Sequence, residues 1–154
     1  MDAAAYDERL GVPLRWWVQG TMMVASLWLA LVVAIPGPVA WACSGIALAL
    51  LAALLISYGS ARVSVEAGWL RVGRARIEGT YVGAVAALDP EETRRVAGPQ
   101  ADARAYLVLR PYLKRAVRVE ITDPADPAPY WLVSTRHPEE LATAVRGLAE
   151  SAPA

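Results

Sequence analysis

The chain has 154 residues, room for about one domain of ordinary size, and a formal net charge of zero. That balance leaves no electrostatic footprint for nucleic acid, and a single cysteine, Cys43, excludes an intramolecular disulfide and a multi-cysteine metal site. The apolar share of 56% exceeds the roughly 45–50% of soluble domains, and the excess is concentrated in one region.

From Trp16 to Ala61 there is no Asp, Glu, Lys or Arg. A spanning helix needs about 20 apolar residues to cross roughly 30 Å of hydrocarbon, and this window is about twice that length. It is broken once, at Pro36-Gly37-Pro38, where two prolines remove backbone donors and permit a reversal. The pattern predicts a transmembrane hairpin over 16–58, with helices at about 16–35 and 39–58, after an N-terminal segment 1–15. Trp16, Trp17 and Tyr58 suit a single water boundary. Gly45, Ala49 and Ala52, with Ala25 and Ser26, are small enough for close helix contact. Arg9 and Arg15 precede the first helix and Arg62, Arg71, Arg74 and Arg76 follow the second, while the turn is uncharged. Positive flanks stay inside, so the expected topology is multi-pass in the plasma membrane with both termini cytoplasmic. Ala40-Trp41-Ala42 before Cys43 has the form of a signal-cleavage site. An acidic N-terminus, two interrupting prolines and a further uncharged stretch after Cys43 argue against cleavage.

Only Gly59, Ser60 and Ala61 then precede strand-like sequence, and three extended residues span about 10 Å. A domain over 62–150 is therefore expected at the membrane surface. Arg62–Glu66 alternates and reads as a strand, Ala67-Gly68 as a turn, and 69–77 as the hairpin partner. A third strand is expected over 81–88. Asp89-Pro90-Glu91-Glu92 is a helix start, with a capping Asp, Pro at the first helical position and acids at the positive end of the dipole. Strands follow at 106–110, 117–122 and 130–135. His137-Pro138-Glu139-Glu140 opens a final helix with Leu141, Val145 and Leu148 on one side.

Six short strands and a closing amphipathic helix make an α+β pattern, a small antiparallel sheet or barrel behind a two-helix hairpin. Residues 62–150 resemble the pleckstrin-homology-like barrel in pattern, one strand short of its usual seven. The stretch "YLVLRPYLKRAVRVEITDPADPAPYWLVSTRHPEEL", 106–141, with the preceding hairpin, resembles an actinobacterial membrane protein family catalogued as domain of unknown function 3093. The resemblance implies two spans and a C-terminal domain, and brings no catalytic residue.

Arg62, Arg71, Arg74 and Arg76 are candidates for facing anionic headgroups, each contributing about 1 kcal/mol near the surface. Lys114 and Arg115 read as a loop-tip pair, and Arg118 as a strand residue offset by Glu120. The Asp-Pro steps of 123–129 predict a stiff connector; as a recognition loop it would offer Asp123 and Asp126, with Tyr130 and Trp131 as anchors for a protein partner. His137, the only histidine, fits a helix boundary, and Cys43 a packing position within the membrane. There is no Walker pattern, G-x-G-x-x-G, serine elbow or H-E-x-x-H. The sequence thus predicts a non-enzymatic binding or scaffold domain without cofactor or metal. An accessory subunit of a larger membrane complex is the alternative, and an enzyme lacking any recognisable motif the second.

Overall fold

The chain reverses at Ile35–Pro36, between helices α1 (Leu14–Ala34) and α2 (Gly37–Tyr58). Ile35 is extended and Pro36 caps α2, so neither helix continues through the break. The computed structural model describes residues 5–152. With 21 and 22 residues, each helix is about 32 Å long at 1.5 Å per residue. Both are long and apolar enough to cross a membrane.

The helices meet along stripes that the sequence reading did not single out. Val24 of α1 and Ala40, Ser44 and Leu55 of α2 are buried, and a Cβ on Gly20 would lie 2.7 Å from Leu51 Cδ2. Trp28 and Trp41 meet in a tilted contact, 5.0 Å between ring centroids. Gly45 has open space around it, and Ala49, Ala25, Ser26 and Cys43 are exposed, so these small residues point away from the helix contact, whereas Ala52 is half-buried. Without a polar face, composition cannot say which side of such a helix meets its neighbour.

A second compact unit is built from residues up to Leu10 together with Ala61 onward, and the hairpin forms the other (Gly11–Ser60). Strand β1 (Tyr6–Arg9) pairs antiparallel with β2 (Arg62–Glu66). β2 pairs with β3 (Trp69–Val72), and β3 with β4 (Ala75–Glu78). The single strand expected over 69–77 is therefore two, because Gly73 at φ 60° turns the chain after Val72. The β2–β3 turn has Ala67 and Gly68 both at positive φ, the form that matches strand twist.

The second sheet runs β5-β7-β8-β6, from β5 (Val82–Leu88), β6 (Tyr106–Val108), β7 (Ala116–Ile121) and β8 (Tyr130–Ser134). β6 and β8 are parallel, an exception to the antiparallel pattern expected. Helix α3 (Pro90–Ala97) starts as its sequence indicates: Asp89 accepts from the Glu91 and Glu92 N–H groups, and Glu92 closes the capping box. Helix α4 (Pro138–Ser151) buries Leu141, Val145 and Leu148 in a core shared by both sheets, with Val63, Leu70, Val72, Val117, Val119, Trp131 and Val133. A smaller cluster of Ala116, Tyr130 and Leu132 packs with Val96 and Ala97 of α3. β8 is consequently buried on both faces. Among the described residues the architecture is α+β, with two long apolar helices, two four-stranded sheets, the short α3 and the C-terminal α4.

Candidate functional site

Strand β1 is Tyr-Asp-Glu-Arg, and its alternation aims Tyr6 and Glu8 inward and Asp7 and Arg9 outward. An inward glutamate is costly unless its oxygens are satisfied. Glu8, 9% exposed, is satisfied in full. Its Oε2 accepts from the Tyr6 hydroxyl at 2.6 Å and the Thr135 hydroxyl at 2.5 Å. Its Oε1 accepts from the Arg136 backbone N–H at 3.1 Å and from Arg136 Nη1 at 3.3 Å. Arg136 Nη1 also donates to the Arg9 carbonyl at 3.1 Å. Burial pushes Glu8 up, but the hydrogen bonds from Thr135 and Tyr6, then Arg136, outweigh it and hold the carboxyl below its ordinary value. Burial and the bond to Glu8 push the Tyr6 phenol well above its ordinary value. A cleft of about 540 Å³ beside this node is lined by Tyr6, Glu8, Arg9, Arg136, His137 and Glu140.

The chemistry open to this node is limited. A carboxylate with both oxygens occupied and its ionised form favoured is poorly placed for proton transfer. It acts as a clasp, joining the strand that runs into α1 to the junction of β8 with α4. The Tyr112 hydroxyl adds a second tie, donating to the Leu10 carbonyl at 2.6 Å. An apolar cleft of about 480 Å³, lined by Val65, Ala67, Gly79, Ala144 and Leu148, lies at the far end of the first sheet.

The structure sorts the residues singled out in the sequence. Arg62, Arg71 and Arg76 share the outer face of the first sheet, and Arg74 sits in the β3–β4 turn beside them. Arg62 is already engaged, its guanidinium gripping the Asp7 carboxylate through two hydrogen bonds. Arg76 lies over the Trp69 ring at 5.3 Å. Lys114 and Arg115 are exposed in the connection between β6 and β7. Asp123 and Asp126 are half-buried and accept from the backbone N–H groups of Ala125 and Ala128, stiffening their own turns.

Tyr130 and Trp131 are not surface anchors. They are 5% and 3% exposed, Trp131 in the main core and Tyr130 in the smaller cluster. The Tyr130 hydroxyl accepts from the Asp102 N–H at 3.1 Å, and Arg118 covers its ring at 4.5 Å. The physical reason is the double burial of β8, which leaves neither side of that strand at the surface. His137 precedes α4 as expected, its N–H donating to Thr135 Oγ1 at 3.0 Å.

The residues missed by sequence reasoning are those of the node: Tyr6, Glu8, Thr135 and Arg136. The only signal for them was the alternation within Tyr6–Arg9, which two acids and a base disguise as a polar flank. Neither the curated proteins nor the solved structures contain a match to the chain. A family model does match, over residues 5–145, covering β1, both long helices and the unit through most of α4. The chain belongs to the family described as Protein of unknown function (DUF3093).

Proposed function

We propose that this is a two-span membrane protein holding a non-enzymatic binding or scaffold domain at the cytoplasmic surface. The observation that carries this reading is the pairing of β1 with β2. β1 runs into α1 and β2 emerges from α2, yet Arg9 lies opposite Arg62 and the Leu10 N–H donates to the Ala61 carbonyl at 2.9 Å. One sheet cannot be assembled across a bilayer, because unsatisfied backbone in hydrocarbon is too costly. The pairing supports a topology with both open ends of the hairpin on one side. The basic flanks, against an uncharged Pro36–Pro38 turn, support the cytoplasm as that side.

The saturated Glu8 node favours a structural over a chemical role. The closing of α4 onto two sheets supports the pleckstrin-like comparison, although the parallel β6–β8 pair departs from an all-antiparallel sheet. A protein partner is the proposed ligand, met by the proline-stiffened connector 123–129, whose Pro124, Ala125 and Pro127 are exposed. Fusing a cytoplasm-active reporter to the C-terminus and a periplasm-active one at Gly37 tests the topology, and a silent C-terminal reporter overturns it. Co-purification after detergent extraction tests the binding role. A stoichiometric membrane partner held through α1 and α2 would instead favour an accessory subunit.

A further inference from the structure

We infer that the outer face of the first sheet, through Arg71, Arg74 and Arg76, docks the phosphates of anionic bilayer lipids. This deepens the membrane-spanning reading above and rests on it. The strand register divides this face by charge. In the row nearest the chain's junctions with α1 and α2, Arg9 lies opposite Arg62; in the next row Arg71 lies opposite Arg76, in line with Ser64 and Asp7. The β3–β4 turn with Arg74 is at the same end, since the Gly73 N–H donates to the Arg62 carbonyl at 2.9 Å. At the opposite end stand Glu66 and Glu78, flanking Trp69 across the strands.

Like charges placed directly across an antiparallel pair destabilise it. Here two such pairs stand together on one face, and the single acid among them, Asp7, is taken by Arg62. Among the described residues no carboxylate forms an ion pair with Arg71, Arg74 or Arg76, and all three are exposed. An external anion relieves that repulsion. A bilayer surface is the source the chain itself indicates. Only three residues, Gly59–Ala61, separate the end of α2 from the start of β2 at Arg62, a tether of about 10 Å when extended. Glu66 and Glu78 stand one row beyond Arg71 and Arg76, at the other end of the strands from Arg62. Planar guanidinium groups pair bidentately with phosphate oxygens, which lysine does not do.

The test uses the full chain in lipid nanodiscs of phosphatidylcholine, alone or mixed with phosphatidylglycerol. The readout is the rate at which an arginine-selective dicarbonyl modifies each guanidinium, followed by mass spectrometry. Docking should slow Arg71, Arg74 and Arg76 only in the anionic discs, by about fivefold for each arginine engaged, with reversal at high salt. Arg94 and Arg95 on α3 should react equally in both lipids. In Arg71→Ala with Arg74→Ala, both exposed and outside the core, the Arg76 rate should lose most of its lipid dependence. Equal rates in the two lipids overturn the proposal, as does slowing that survives the double substitution. Equal slowing by soluble inorganic phosphate in neutral discs assigns the site to free phosphate and also overturns it. A chain that fails to elute with the discs refutes the spanning reading; one that elutes without lipid-dependent rates refutes only the docking.

Discussion

Replacing Glu8 by Gln keeps the shape of the side chain and removes its charge and one acceptor. Glu8 serves four donors, two at each oxygen. The amide has one oxygen and one NH₂, so whichever way it is set, two donors face a donor. The least costly orientation keeps the oxygen toward Tyr6 and Thr135 and abandons the Arg136 N–H and guanidinium. Arg136 is partly exposed and water can re-solvate its guanidinium, so the loss is chiefly the backbone bond and the charge assistance at the other two. Hydrogen bonds to charged groups contribute about 1.5–3 kcal/mol each, so the combined cost should be about 2–4 kcal/mol. That is a large part of the roughly 5–15 kcal/mol available to a domain. In urea titrations of the full chain in detergent, followed by near-ultraviolet circular dichroism, the midpoint should fall by roughly 1–2 M. Glu66→Gln on the exposed outer face should leave it unchanged. A Glu8→Gln midpoint equivalent to less than about 0.5 kcal/mol of change, as surface substitutions show, would refute the clasp.

The same node sets a pH dependence. Glu8 is held below its ordinary value, so its contribution is present above the unfolded carboxyl value near 4.3 and is lost as pH falls through the folded one. Tyr6 is raised, so its contribution is present below the unfolded phenol value near 10 and is lost as pH rises beyond it. Urea midpoints against pH should show the acid limb shrink in Glu8→Gln and the alkaline limb shrink in Tyr6→Phe. Gly79→Ala should destabilise the sheet unit by about 1–3 kcal/mol in the same assay, because the new Cβ would lie 2.8 Å from the Leu148 carbonyl oxygen, while Gly68→Ala meets only its positive φ. Leu50→Arg, on the exposed side of α2, should cost about 2.5–3.5 kcal/mol of insertion and deplete the membrane fraction. Leu107→Arg, exposed on β6, should not.

The two long helices were legible because an uncharged window broken by two prolines has few alternatives. Their facing stripes were not, because helices apolar on all sides carry no directional signal. The α3 cap and the α4 stripe were legible since both are local, set by Asp89 with Glu92 and by the spacing of Leu141, Val145 and Leu148. β1 escaped because its partner lies 55 residues on, beyond the hairpin, and because Asp7, Glu8 and Arg9 look like a solvated flank. Tyr130 and Trp131 were read as loop anchors from the prolines before them. The unbroken apolar run Tyr130–Val133 was the better guide, since it marks a strand covered on both faces. The parallel β6–β8 pair had no local marker at all.

The central claim is that both flanks of the hairpin build one sheet on one side of the membrane. Arg9 and Arg62 lie directly opposite each other, so cysteines there have Cβ atoms about 4.5–5.5 Å apart, close enough for a disulfide after slight adjustment. In a Cys43→Ala background, Arg9→Cys with Arg62→Cys should be oxidised in native membranes, with a protease site placed at Gly37 to cut the hairpin. The account predicts that the two fragments remain joined after cleavage until a reductant is added, while Arg9→Cys with Glu66→Cys gives separate fragments. Fragments that separate without reductant in the Arg9/Arg62 variant would contradict it.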